Sequence, residues 1–299
     1  MPHRAAGPPT RLRVWISASR PPTLAASVSP VLAAVALTVH DGAYRPLAAI
    51  GALAVAIAMQ FGVNFANDYS DFKRGADTPS RVGPLRAAAS GVVPPGQVRL
   101  AAIACFGLAG LIGLALALTT DWWLVPIGIL AVLAGWLYTG GPRPYGYIGL
   151  GEVFVFLFFG LFATVGTVWV IERTASPAAW LLGATMGLLA CAVLTINNLR
   201  DIRTDRQARK MTLAVRLGAP VTRMLILAEF SLALLLPVLA IAYAGMPAFA
   251  ILPLVTAPMM VQVWRICRSS EPRPLIAALR RAAAIEVWFA LLWALGMVL

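Results

Sequence analysis

Two short segments of the chain concentrate side chains that bind divalent cations through oxygen. The first reads NFANDYSDFKRGAD over residues 64–77, and the second reads NNLRDIRTDRQARK over residues 197–210. In a chain with only 12 acidic residues, these segments hold Asp68, Asp71, Asp77, Asp201 and Asp205. Carboxylate and amide oxygens suit Mg2+, which takes one or two carboxylates together with substrate phosphates and water. The two histidines and three cysteines are widely separated, so they predict neither a zinc site nor a disulfide framework.

The spacing within each segment would place these oxygen donors on one face of a helix, because each residue advances by about 100° around the axis. On the first segment one face carries Asn64, Asn67, Asp68 and Asp71. On the second segment one face carries Asn197, Asp201 and Asp205. Apolar residues fill the rest of both helices, so the polar faces are expected to point into the protein and away from lipid.

Basic residues surround both segments. They are Lys73, Arg74, Arg143, Arg209 and Lys210. Carboxylates gathered at a membrane surface repel one another unless a cation joins them. Basic side chains at the rim of such a site attract anions and bind phosphate oxygens through charge-assisted hydrogen bonds. The combination predicts a diphosphate held through Mg2+.

The elements that must position these motifs are membrane helices. Of the 299 residues, 60% are hydrophobic and 12% are charged, whereas a soluble domain has roughly 25% charged residues. The mean hydropathy is +0.81, which excludes a water-soluble globule. Apolar runs of about 20 residues alternate with short polar breaks, and this pattern predicts an all-α, polytopic membrane bundle. Its nine transmembrane helices are expected at 23–40, 46–68, 98–118, 121–139, 148–171, 178–199, 222–244, 246–264 and 283–299.

The distribution of Lys and Arg predicts a cytoplasmic N-terminus. With that orientation, every one of the 24 Lys and Arg residues except Arg45 and Arg173 falls on the cytoplasmic side. The net charge of +12 is therefore attributed to topology in a cell membrane, and no nucleic-acid partner is expected. The whole chain is interpreted as one transmembrane domain. It has a cytoplasmic N-terminal segment, 1–20, and two cytoplasmic active-site loops, 70–98 and 200–221.

The NDYSD and DIRTD motifs resemble the two aspartate-rich motifs of the UbiA superfamily of intramembrane aromatic prenyltransferases, and the resemblance covers nearly the whole chain. Three more segments are similar to the branch of that family that uses 1,4-dihydroxy-2-naphthoate in menaquinone biosynthesis. They are RPPTLAASVSPVLAA (20–34), YTGGPRPYGYIGLGEVFVFLFFGLFATVGT (138–167) and KMTLAVRLG (210–218). The chain departs from the family at Arg209, where the family usually has the glycine of Gly-Lys-x-Thr.

The resemblance implies Mg2+-dependent transfer of a polyprenyl group from polyprenyl diphosphate to 1,4-dihydroxy-2-naphthoate, with loss of CO2 and diphosphate, in a membrane lipid environment. It implies two metal ions, bound by Asn67, Asp68, Asp71, Asp201 and Asp205. The four aspartates in that set are the implied catalytic residues. Secondary metal ligands are Asn64 and Asp77. The implied diphosphate-binding residues are Arg20, Lys73, Arg74, Arg143 and Lys210.

An allylic carbocation left by loss of diphosphate needs exclusion of water and electron-rich walls, which aromatic faces supply. The candidate pocket residues for the acceptor and the prenyl chain are Tyr69, Tyr138, Tyr145, Glu152, Asn197 and Asn198. Packing in the core or at the membrane interface is the alternative role of the tyrosines. Glu152 is a candidate to position or deprotonate the acceptor, whereas Glu229 and Glu286 are expected to pair with nearby arginines.

Other functions stay open at this stage. An enzyme of the same family with another aromatic acceptor, such as 4-hydroxybenzoate or homogentisate, has the same motifs. A phosphatidyl transferase of the CDP-alcohol type also uses membrane-face aspartates, but its Asp-Gly-x-x-Ala-Arg signature is absent. A membrane transporter is the alternative from another class, although transporter sites lie nearer the bilayer midplane. The sequence leaves prenyl length and oligomeric state unassigned.

Overall fold

The computed structural model describes residues 10–75, 85–269 and 271–299, and within these ranges the chain forms helices joined by short turns, with no β-strand. The helices are α1 (Arg11–Ser19), α2 (Ala25–His40), α3 (Pro46–Lys73), α4 (Pro95–Thr119), α5 (Leu124–Leu137), α6 (Gly151–Glu172), α7 (Pro177–Gln207), α8 (Leu213–Ala244), α9 (Ala248–Cys267) and α10 (Pro272–Val298). Each predicted span overlaps one of the helices α2 to α10, although α8 and α10 begin well before their predicted starts at 222 and 283. Within the described ranges, seven helical segments are long and apolar enough to cross a membrane. The predicted all-α membrane bundle is therefore confirmed.

Helix α1 lies within the predicted cytoplasmic N-terminal segment, 1–20, where the sequence analysis predicted no helix. The Thr10 side chain caps its first turn by accepting a hydrogen bond from the backbone N–H of Arg13. Arg20 adopts a left-handed conformation with φ 50° and ends the helix. Val14 and Ala18 are buried against α3, whereas Leu12 is 70% exposed, so α1 packs one face on the bundle.

Helix α7 forms the centre of the bundle. In its most apolar stretch 72% of residues are buried, and the largest apolar core cluster joins α7 to α2, α8 and α10. The predicted end of this helix at residue 199 was wrong by about two turns, because α7 runs on to Gln207. The segment RDIRTDRQ contains no glycine or proline, so the helix continues beyond its apolar part. The predicted loop 200–221 is correspondingly short, because α8 begins at Leu213. A kink at Gly218 (φ 75°, ψ 164°) separates the first turn of α8 from its long membrane stretch.

A π-helical stretch interrupts α6 at Phe156–Phe162, where the helix crosses α7. The two backbones approach so closely at this crossing that a Cβ atom on Gly160 would collide with the Cα atom of Gly187. π-Helical turns often mark functional sites because they change the direction of side chains. Here the stretch turns Phe158, Phe159 and Phe162 toward the internal cavity described below.

Candidate active site

The first aspartate motif occupies the last turns of α3, and its asparagines hold neighbouring elements. The Asn64 side-chain N–H2 donates to the backbone oxygen of Ser19 (2.8 Å) and to Oγ1 of Thr23 (3.0 Å), which ties α3 to the end of α1. The Oδ1 atom of Asn67 accepts a hydrogen bond from Oγ1 of Thr139 at 2.8 Å. Both asparagines are buried and line the cavity, so the predicted polar face does point inward.

Asp68 is fully buried and binds the loop that leads into α4. Its Oδ2 and Oδ1 atoms accept hydrogen bonds from the backbone N–H groups of Ala87 (2.8 Å) and Ala88 (2.9 Å). Asp68 does not line the cavity. In this arrangement the carboxylate acts as a clamp that holds the loop of residues 85–90 against α3.

Asp71 is the carboxylate of the first motif that lines the cavity. Its Oδ1 atom accepts a hydrogen bond from the hydroxyl group of Tyr147 at 3.0 Å. Its Oδ2 atom pairs with a guanidinium nitrogen of Arg86 at 3.2 Å, and both side chains are buried. Arg86 also lines the cavity, so a buried ion pair stands at its polar end.

The second motif, on α7, is built around a different ion pair. The Nε and Nη2 atoms of Arg200 donate to the two carboxylate oxygens of Asp201 at 2.7 and 2.6 Å. Nη2 of Arg200 also donates to Oδ1 of Asn197 at 2.9 Å. Asn197 and Arg200 line the cavity, whereas Asp201 lies behind them.

Asp205 belongs to the last turn of α7, which closes with a left-handed residue. The backbone N–H of Lys210 donates to the carbonyl oxygen of Asp205 at 2.8 Å, and Arg209 between them has φ 55°. A glycine normally takes this left-handed position after a helix. The departure from the family motif at Arg209 therefore falls where a side chain is least favourable.

Tyr147 connects the two motifs. Besides its hydrogen bond to Asp71, its backbone oxygen accepts a hydrogen bond from the N–H of Met211, just beyond α7 (3.0 Å). The cationic groups of Arg74 and Lys210 lie 5.3 and 5.4 Å from the centre of its ring. Burial and the adjacent Asp71 carboxylate raise the pKa of Tyr147 above its ordinary value, so the phenol keeps its proton and remains a donor.

These groups meet at one end of a single cavity of about 1050 Å3. Its polar end is formed by Arg20, Asn64, Asn67, Asp71, Arg86, Asn197, Arg200 and Lys210. The remainder is apolar and runs along α3 as far as Ala52, facing α5 and the phenylalanines of α6. An aqueous anionic group and a long hydrocarbon chain can therefore occupy one continuous space.

Some of the predicted phosphate-binding residues line the cavity and others do not. Arg20 and Lys210 line the cavity. Lys73 and Arg143 are exposed and do not line it. Arg74 donates to the backbone oxygens of Thr139 and Gly141, so its guanidinium secures the loop between α5 and α6. The predicted role of these last three in diphosphate binding has no support in this arrangement.

The predicted pocket residues likewise include some that line the cavity and some that do not. Tyr138, Tyr145 and Asn197 line the cavity, and the Tyr145 ring stacks on Phe154 with ring centres 3.9 Å apart. Tyr69 instead packs on the core cluster that contains the buried face of α1. Glu152 does not line the cavity, but accepts a hydrogen bond from Nδ2 of Asn198 at 2.9 Å behind its wall.

The expected arginine partners of two membrane-embedded glutamates are not found. Glu229 accepts a hydrogen bond from Oγ1 of Thr195 at 2.9 Å. Glu286 is fully buried, and neither of its carboxylate oxygens has a hydrogen-bond partner among the described residues. The expectation of Arg pairing was wrong: Arg223 donates instead to the backbone oxygens of Cys267 and Ser269. Near Glu286, Arg280 and Arg281 are exposed, whereas the carboxylate is buried.

Three residues of the site were missed by the sequence analysis. They are Arg86, Tyr147 and Arg200. Arg86 and Tyr147 lie in Gly/Pro-rich loops whose course does not follow from periodicity. Arg200 immediately precedes Asp201, and its place inside the second motif was the one signal that could have drawn attention to it.

The donor set fits a magnesium ion that is shared with a diphosphate. Within residues 10–75, 85–269 and 271–299, no group of three or more His, Cys, Asp or Glu side chains is close enough to enclose a metal by itself. Mg2+ does not need such a cage, because it takes one or two carboxylates and completes its shell with phosphate and water. Asn67 and Asp71 place hard oxygen donors at the cavity's polar end. The secondary candidate Asp77 lies outside the described residues.

Comparison with known families gives a match over most of the chain. The UbiA prenyltransferase family matches residues 27–298. A Mycobacterium tuberculosis protein named 1,4-dihydroxy-2-naphthoate octaprenyltransferase is 41% identical over 276 residues, or 92% of this chain and 93% of that protein. The Escherichia coli protein of the same name is 41% identical over 70% of each chain.

Solved structures give the same fold at much lower sequence identity. A UbiA homolog from Aeropyrum pernix K1 superimposes with a TM-score of 0.69 at 16% identity, covering 91% of this chain and 96% of that one. A UbiA homolog from Archaeoglobus fulgidus bound to DMAPP and Mg2+ has a TM-score of 0.61 at 15% identity, covering 96% and 99%.

Proposed function

The chain belongs to the UbiA prenyltransferase family, and from this premise we propose that it transfers a polyprenyl group from polyprenyl diphosphate to 1,4-dihydroxy-2-naphthoate. CO2 and diphosphate leave, and the product is demethylmenaquinol, the two-electron-reduced form of demethylmenaquinone. The observation that carries the proposal is that both aspartate motifs adjoin the polar end of one otherwise apolar cavity. The 41% identity to relatives named for that acceptor supports the choice of naphthoate.

The polar end of the cavity binds the diphosphate of the donor. Asn67 and Asp71 would hold Mg2+ there, and the second motif, with Asp201 and Asp205, is the proposed place of a second ion. When bound, the metal supplies Lewis-acid stabilisation of the charge that develops on the departing diphosphate. Lys210 and Arg20 line the same end and bind phosphate oxygens.

The rest of the cavity binds the hydrocarbon chain and protects the allylic cation. Tyr138, Tyr145 and Phe158 line it and present π-faces to a cation. The electron pair of the breaking C–O bond leaves with diphosphate, and a ring carbon of the naphthoate supplies the pair of the new C–C bond. The electron pair of the bond between the ring and the carboxyl group stays with the ring as CO2 leaves. Apolar walls exclude the water that would otherwise capture the cation.

Position in the membrane follows from the same proposal. The polar end lies beside α1 and the ends of α3 and α7, which carry most of the surrounding basic residues. We assign this side to the cytoplasm by the positive-inside rule, with α2 to α10 as the nine spans of one domain in the cell membrane. Helix α1 then lies at the cytoplasmic surface, and the connections 85–94 and 208–212 adjoin the site.

A panel of acceptors tests the proposal. Purified full-length protein in lipid nanodiscs receives one polyprenyl diphosphate with 1,4-dihydroxy-2-naphthoate, 4-hydroxybenzoate or homogentisate, each with Mg2+ or with EDTA. The expected result is a decarboxylated prenyl product from the naphthoate alone, lost with EDTA and restored by added Mg2+. Prenylation of hydroxybenzoate but not naphthoate would overturn the acceptor assignment, and EDTA-resistant transfer would overturn the metal assignment.

A further inference from the structure

Arginine side chains hold one aspartate of each motif. On the first motif Arg86 contacts Asp71, and on the second Arg200 binds both oxygens of Asp201. All four side chains are no more than 7% exposed. Both arginines line the cavity into which the diphosphate would enter. Each motif therefore carries a built-in cation at the place where a metal-bound anion is expected.

The Arg200–Asp201 pair is the more informative of the two. Neighbouring side chains on a helix diverge by about 100°, so residues i and i+1 do not normally face each other. The arginine must fold back along α7 to reach both carboxylate oxygens and Oδ1 of Asn197. Such a buried pair is weak evidence for a gain in stability, because desolvation offsets much of the attraction.

We propose that Arg200 is an internal counter-ion of the second motif, which occupies the Asp201 carboxylate without substrate and moves to phosphate oxygens when metal and diphosphate enter. This inference rests on the proposed function. A guanidinium matches a carboxylate and a phosphate equally well in geometry, since both accept paired N–H donors. The exchange therefore costs no hydrogen bond, and Asp201 becomes available to Mg2+ only when phosphate is present to receive the arginine.

Arg86 places a second guanidinium in the corresponding position on Asp71. When Asp71 and Asp201 are both paired with arginine, Mg2+ alone must compete with two buried guanidinium groups for these carboxylates. When diphosphate enters with Mg2+, its oxygens receive the arginines and the competition is removed. The consequence is strong coupling: each of the two binds weakly alone and tightly in the presence of the other. The enzyme would then avoid holding a bare metal ion in an empty cavity.

The test replaces Arg200 by the unbranched, uncharged side chain of methionine. Mg2+ binding is measured without donor, by calorimetry on protein in nanodiscs. In Arg200→Met we expect the Mg2+ dissociation constant to fall about tenfold, the order expected for removal of one charged competitor. In the same variant the affinity for prenyl diphosphate with Mg2+ should fall about tenfold, because one phosphate ligand is lost.

Arg203→Met is the matched control, since Arg203 lies one turn further along the same helix and is exposed. It should change neither constant by more than about twofold. If Arg200→Met leaves Mg2+ binding unchanged or weaker, the counter-ion role is wrong. Arg200→Lys keeps the positive charge but offers a single contact to Asp201. The Mg2+ affinity of this variant should therefore lie between those of wild type and Arg200→Met. An Mg2+ affinity equal to that of Arg200→Met would also contradict the counter-ion role.

The two hypotheses fail in different ways. If wild-type protein does not bind prenyl diphosphate in a Mg2+-dependent way, the proposed function fails and the inference falls with it. If wild type binds and transfers normally but Arg200→Met shows no gain in Mg2+ affinity, only the counter-ion inference fails. Melting curves of each variant without ligand confirm that the measured protein is folded.

Discussion

The two aspartate motifs have similar sequences but are held in different ways. On α3, Asp68 binds backbone N–H groups of a loop, so part of the motif builds the wall of the site. On α7, Asp201 is held by the side chain of Arg200, which we propose moves to phosphate, and Asn197 accepts from the same guanidinium. The difference indicates that the α3 motif is a fixed frame and the α7 motif is the adjustable side, and four substitutions test this contrast.

Asp71→Asn should have the largest effect. The substitution removes the charged oxygen donor of the α3 motif that faces the cavity. We expect the rate of prenyl transfer to fall about a thousandfold, because metal-assisted stabilisation of the departing diphosphate is lost. Initial rates with saturating donor and Mg2+ measure this. Asp41→Asn is the control, because Asp41 directly follows the last residue of α2, away from the polar end of the cavity, and is exposed. Retention of more than a tenth of the activity in Asp71→Asn would remove Asp71 from the metal site.

Asp68→Asn separates a structural role from a metal-binding role. An amide can accept one of the two backbone hydrogen bonds but presents N–H2 to the other, which leaves a buried donor without an acceptor. We expect a loss of roughly 2 kcal/mol in stability, read as a lower melting midpoint in nanodiscs. Activity measured well below that midpoint should fall less than in Asp71→Asn. An unchanged midpoint with a loss of activity as large as that of Asp71→Asn would show that Asp68 is a ligand and not a clamp.

Tyr147→Phe tests the connection between the two motifs. The ring remains between Arg74 and Lys210, but the hydrogen bond to Asp71 is lost. A single hydrogen bond to a charged group corresponds to about a tenfold to hundredfold change, expected in the KM for the donor more than in kcat. Tyr243→Phe, at an 82% exposed position, should behave as wild type. A selective fall in kcat would indicate a role for the Tyr147 hydroxyl in chemistry.

Arg209→Gly should have the smallest effect and the opposite sign. Relief of a left-handed conformation gains about 1 kcal/mol, and the extra freedom of glycine in the unfolded chain offsets part of it. A net gain of about 0.5 kcal/mol, seen as a slightly higher melting midpoint, is expected. A lower midpoint would mean that the Arg209 side chain stabilises the end of α7 through contacts that outweigh its backbone strain.

Periodicity and apolar length were sufficient to predict the helical bundle and the inward face of the motifs. The α3 face from Asn64 to Asp71 follows from helix geometry alone, and the structure buries it as expected. The roles within that face do not follow from geometry, because they depend on which backbone or side chain reaches each oxygen. Asp68 became a clamp through contacts with Ala87 and Ala88, and no local pattern encodes the return of that loop.

Predictions also failed where polarity was taken as a sign of a loop. The segment after residue 199 is strongly charged, yet it continues α7 as far as Gln207. Charged residues with straight side chains have a high helix propensity in water, so a helix can continue beyond the membrane. Likewise, Arg74 was interpreted as a phosphate ligand from its charge, whereas loop carbonyls use its donors. Charge alone does not distinguish a substrate ligand from a residue that fixes a turn.

The length of the apolar part of the cavity separates the choice of hydrocarbon tail length from the chemistry at the polar end. Lining residues on α3 extend from Asp71 to Ala52, which corresponds to about 28 Å of helix at roughly 1.5 Å per residue. Bond breaking is confined to one end of this length, and the far end meets only the tip of the hydrocarbon tail. Substitutions near Ala52 can therefore shorten or lengthen the tail that fits without touching the reacting groups, so lineages could change quinone tail length while the catalytic machinery stayed the same.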